Sequence, residues 1–117
     1  FEPKRYRTWF FVAELPEGQK TRDVSTESDH VVWLPASTAV EQAEDRQILM
    51  LPPTYITSLD VAQYATPAEV IAAAAERRIE MFCPAVEPEG EQFTLTRPPH
   101  ADALLEARAK VARWGQA

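Results

Sequence analysis

"RYRTWFFVAEL", residues 5–15, is the stretch on which the reading of the fold turns. Along an extended backbone successive side chains point to opposite faces. Tyr6, Thr8, Phe10 and Val12 therefore share one face, and Trp9, Phe11, Ala13 and Leu15 the other. Both faces are mostly apolar, the pattern of a strand covered on each side rather than wetted on one. The stretch predicts a central β-strand, and such a strand needs a neighbour along each edge.

Downstream, "PEGQKTRDVSTESD" (16–29) is polar, carries Gly18 and lacks periodicity, which predicts a solvent-facing loop. "HVVWLP" (30–35) sets Val31 and Trp33 against Val32 and Leu34, a second strand covered on both sides and ended by Pro35. "ASTAVEQAEDR" has helical spacing through Ala36, Ala39, Val40 and Ala43, with Thr38 and Glu41 spaced as a capping box. In "QILMLPPTYITSLDVAQYA" an apolar run stops at two prolines. Pro53 then fits the first turn of a helix running to about Ala65, with Tyr55, Ile56, Leu59 and Ala62 as its buried stripe.

"TPAEVIAAAAERR" carries the clearest local signal, with Thr66 as N-cap, Pro67 at the first helical position and Glu69 three residues after the cap. Its alanine run, 72–75, reads as a close-packed helix face. "IEMFCPAV" and "EQFTLTRP" flank "EPEG" and predict an antiparallel hairpin, with Pro84 marking an edge. "ADALLEARAKVARW" is helical by composition and by the spacing of Leu104, Leu105, Ala109 and Val111 or Ala112. The pattern as a whole is α+β.

The totals narrow the function classes. A chain of 117 residues, 45% hydrophobic, suffices for one ordinary domain, and no apolar run approaches a membrane span. A formal net charge of −6 argues against a general nucleic-acid binder, because phosphate neutralisation drives that affinity. The single cysteine, Cys83, is expected as a small buried apolar residue; it excludes an internal disulfide and favours a reducing cytoplasm.

The order of four segments is more specific. "RYRTWFFVAELPEGQ", "STESDHVVWLPASTAVEQ", "ILMLPPTYITSL" and "RRIEMFCPAVEPEGEQFTLTRP" together resemble the C-terminal half of a Nudix hydrolase, in the branch of the coenzyme A and nucleoside diphosphatases. Arg5, Tyr6, Thr8, Phe10 and Phe11 match the branch's opening strand, Glu27 stands six residues before Trp33 as it does there, and Leu51 to Thr54 match its Leu-Pro-Pro-Thr segment. Arg7 replaces the usual Asp, and Trp9 stands where a small or basic residue is common. The resemblance spans residues 1–99. It implies a partial Nudix-type mixed sheet flanked by helices over 1–65 and leaves the last helix unassigned; residues 66–117 are read as a C-terminal extension of helix, hairpin and helix packed on that part.

The defining Nudix box pairs a glycine with a glutamate six positions on, followed by further glutamates on a helix. Val24 lies six beyond Gly18 and Thr96 six beyond Gly90, and no Arg-Glu dipeptide occurs. The resemblance thus implies Mg²⁺ held mainly by carboxylates outside this chain, with the flanking strands and metal-bearing helix in a segment upstream. It implies a nucleoside diphosphate derivative or coenzyme A as substrate, and a chain that is inactive alone.

Individual residues carry two readings each. Glu27 fits a general base on water or an additional metal ligand, against which stands the simpler reading of a solvated acid in the loop "STESD". Lys4, Arg5 and Arg7 suit a diphosphate, since Arg makes bidentate phosphate contacts, and suit a solvated strand end as well. His30 and His100 lack partners at zinc-ligand spacing. No serine sits in a nucleophile elbow. Trp9, Trp33 and Tyr55 fit core packing better than nucleobase stacking. Against the diphosphatase stands a different class, a self-contained α+β binding or homodimerisation module whose strand edges pair with a second copy.

Overall fold

The computed structural model describes residues 6–22 and 31–111. Its elements in chain order are α1 (Ala36–Glu44), α2 (Pro52–Ala62), α3 (Pro67–Glu76), β1 (Val86–Glu89), β2 (Gln92–Leu95) and α4 (Ala101–Ala109). The architecture among these residues is α+β, with helices and one two-stranded antiparallel sheet. The backbone gathers into two units: Val12–Ala75, and a second whose described residues are 6–11 and 76–111.

In the first unit α1 packs against α2. Val40 of α1 is fully buried and Leu59 of α2 nearly so, while Tyr55, Ile56 and Ala62 are half-buried. The stripe expected on α2 is therefore the face that meets α1. Pro52 and Pro53 occupy the first two helical positions, where a missing N–H has no intrahelical acceptor to lose. Helix α1 begins earlier than its capping box would have it. Ala39 N–H bonds to Pro35 C=O at 3.0 Å, Pro35 is the N-cap, and no side chain caps the helix, so Thr38 lies within the first turn.

The cap of α3 forms as its residues dictate. Glu69 N–H donates to Thr66 Oγ1 at 3.3 Å, and Glu69 Oε2 accepts from the N–H groups of Thr66 and Ala65 at 3.2 and 2.8 Å. Local bonds of this kind need no tertiary partner. The alanine face does need one, and here the expectation is corrected: α3 buries no residue, with Ala72 and Ala75 exposed and Ala73 and Ala74 half-buried.

The strand readings of 5–15 and 30–35 are also corrected. Described residues 6–15 and 31–35 form no strand, and Tyr6, Trp9, Phe10, Phe11, Val31, Val32 and Trp33 are exposed, Phe11 to 88%. Period-two patterning records which side chains seek cover. A strand also needs a neighbouring backbone for its ladder, and among the described residues neither stretch has one. His30 lies outside the described residues.

The hairpin forms, shifted toward its tip. Glu89 pairs with Gln92 across a two-residue loop of Gly90 and Glu91, so the strands occupy residues read as turn, and Cys83 and Pro84 precede them. Gly90 has φ 64°, and Glu91 is not in the left-handed region. That combination is a type II′ turn, whose first central position favours glycine and whose twist matches paired strands. Helix α4 starts at a fully buried Ala101. Leu104 and Leu105 are half-buried, and Ala109 and Val111 exposed, while Ala112 lies outside the described residues. No helix among the described residues is long and apolar enough to cross a membrane.

Candidate functional site

Helix α1 ends in a way that shapes its surroundings. Arg46 N–H bonds to Ala43 C=O at 3.1 Å and Gln47 N–H to Gln42 C=O at 2.8 Å, the paired bonds of a Schellman motif. The residue after the C-cap in that motif adopts left-handed backbone, normally glycine's place. Arg46 fills it at φ 60°. A side chain in that region costs about 1 kcal/mol. Arg46→Gly is accordingly expected to raise stability by about 0.5–1 kcal/mol, read from urea denaturation, with the α1–α2 fold unchanged.

The turn leads into a segment outside any helix or strand in which Ile48 and Met50 are half-buried, while Leu49 is 92% exposed. Between this segment and the first turn of α2 lies an open groove of about 440 Å³, walled by Ala43, Ile48, Met50 and Tyr55, with Glu44 and Arg46 at its rim. Tyr55 donates its phenol proton to Glu44 Oε2 at 2.9 Å, tying the start of α2 to the end of α1. The groove offers apolar packing and one charge of each sign.

Asp60, beside Leu59, is 8% exposed and accepts from Gln63 Nε2 at 2.8 Å through Oδ1. Sequence reasoning passed over it; its one signal is an acid with a glutamine three residues on, a spacing that places both on one helix face. In the second unit a polar concavity of about 470 Å³ borders the hairpin, with Glu87, Glu89 and the ion pair of Arg97 Nη2 with Asp102 Oδ1 at 2.7 Å.

Of the residues singled out by sequence, Arg7 is exposed and belongs to no helix or strand, whereas Glu27 and Arg5 lie outside the described residues. Trp9 and Trp33 are exposed rather than packed, which corrects the core reading of both. Trp33 Nε1–H donates to Thr21 Oγ1 at 2.9 Å. Cys83 is exposed, not buried, because it lies ahead of the strand and no apolar layer covers it. Among the described residues no group of three or more His, Cys, Asp or Glu side chains is arranged to hold a metal ion. Compared with family models, with curated proteins and with solved structures, the chain finds no match.

Proposed function

We propose that residues 1–117 are the later part of a Nudix-type hydrolase that cleaves a nucleoside diphosphate linked to another moiety, by attack of water on phosphorus. The observation that carries this reading is the uncovered aromatic segment. Residues 6–15 belong to no helix or strand, and Tyr6, Trp9, Phe10 and Phe11 leave a large apolar surface exposed, which supports a reading in which other polypeptide covers them. The same segment opens the four-part order that resembles the nucleoside and coenzyme A diphosphatases.

In this reading Glu27 accepts the proton of the attacking water, and Arg5 and Arg7 hold the diphosphate. Mg²⁺, when bound, neutralises phosphoryl charge and acidifies water; its carboxylates come mainly from outside residues 1–117. The substrate is a nucleoside diphosphate derivative, with coenzyme A within the class.

The test is a diphosphatase assay on the full encoded protein, with nucleotide sugars, dinucleoside polyphosphates and coenzyme A as substrates. Mg²⁺-dependent release of a nucleoside monophosphate, or of phosphopantetheine from coenzyme A, is expected, with none from residues 1–117 alone. Turnover by residues 1–117, or none by the full protein, would overturn the reading and leave the binding or homodimerisation module in its place.

A further inference from the structure

The two outer edges of the hairpin are chemically unequal. Thr96 N–H bonds to Ala85 C=O at 2.8 Å, and Glu89 faces Gln92 across the turn. In an antiparallel ladder hydrogen-bonded and non-hydrogen-bonded pairs alternate. Hence Glu87 with Thr94 and Glu89 with Gln92 are the bonded pairs, and Val86 with Leu95 and Pro88 with Phe93 the others. Residues of the second kind turn their backbone N–H and C=O away from the partner strand.

On β1 those residues are Val86 and Pro88, and proline has no N–H, so this edge offers a single donor over the strand. An edge proline blocks strand addition in this way. On β2 they are Phe93 and Leu95, both with N–H and C=O intact, and the sheet ends there. The non-bonded pairs also share one face. Val86, Pro88, Phe93 and Leu95 make it apolar, with Phe93 75% exposed, while Glu87, Glu89, Gln92 and Thr94 make the other polar. A hairpin this short is marginal without a third strand or a packing partner.

We propose that β2 pairs antiparallel with β2 of a second copy about a two-fold axis, giving a four-stranded sheet bounded on both outer edges by Pro88. The register is set by the free groups. Placing Thr94 opposite Thr94 of the second copy puts Phe93 opposite Leu95 in both directions, so all four outward N–H groups find carbonyls. The apolar faces then continue across the axis. The same register brings Glu91 of each copy opposite Arg97 of the other, which also pairs with Asp102 of its own chain, so that charges of opposite sign meet at both ends of the new ladder. An isologous contact of this kind closes on itself, which removes the open edge instead of propagating it. The inference rests on the hairpin alone and is independent of the diphosphatase reading.

Sedimentation equilibrium of the chain over a concentration series up to ~1 mM is expected to show a monomer–dimer equilibrium. Amides of Phe93 and Leu95 should become protected from exchange as dimer forms. Leu95→Pro removes one outward N–H and no hairpin bond, so dimer should vanish while the Glu87–Thr94 pairing persists by NMR. Glu91→Arg should weaken association about tenfold by setting like charges together twice, and Arg97→Glu in the same chain should restore it. A monomer throughout the series, or a dimer indifferent to Leu95→Pro, would overturn the proposal.

Discussion

Leu59→Ala is expected to destabilise the chain by about 2–4 kcal/mol, seen as a lowered urea midpoint and loss of helical circular dichroism. Leu59 lies on the α2 face that meets α1, and with Val40 it is one of the few apolar side chains below a tenth exposed among the described residues. Removing its branched end forfeits transfer free energy and leaves a void between two short helices with little around them to collapse inward. Because domains of this size are stable by only ~5–15 kcal/mol, such a loss takes a large share of the total. Leu49→Ala is the control. Leu49 is 92% exposed, so the same chemical change there should alter stability by less than about 0.5 kcal/mol. Equal effects at the two positions would mean that the α1–α2 contact is not what holds this unit together.

If the proposed hydrolase reading holds, Glu27→Gln in that enzyme is expected to lower kcat by ~10²–10⁴ with KM little changed. The amide keeps the shape of the carboxylate and its capacity to accept a hydrogen bond, yet it cannot take up a proton from water. Binding should therefore survive while proton removal fails. A fall in kcat with KM constant is the signature of an interaction made in the transition state, whereas a rise in KM alone would assign Glu27 to substrate binding. A loss below about tenfold would return Glu27 to the solvated loop acid that "STESD" describes more simply.

Legibility divides along a physical line. The α3 cap was readable because Thr66, Pro67 and Glu69 act on groups within four residues of one another, and the bonds they form are local. The prolines opening α2 and the hairpin turn at Gly90 were readable for the same reason, since backbone chemistry at those positions leaves few conformations open. The hairpin's extent was less so: the strands claim Glu87 and Glu89, which composition assigned to a turn. The groove at Arg46 was not legible. A Schellman motif normally announces itself by glycine, and here an arginine holds the left-handed position. Asp60 escaped notice because a buried acid resembles an exposed one until the packing around Leu59 is known.

By itself the sequence determined the helices, the cap of α3, the tight turn and the α+β class, because each follows from contacts within a few residues or from a repeat along one element. Tertiary structure alone decided whether the greasy stretches at 6–15 and 31–34 become strands, which face of α2 is covered, and which edge of the hairpin stays open. Those outcomes depend on whether a second backbone or an apolar layer lies alongside, and a pattern within one segment states the demand for such a partner without supplying it.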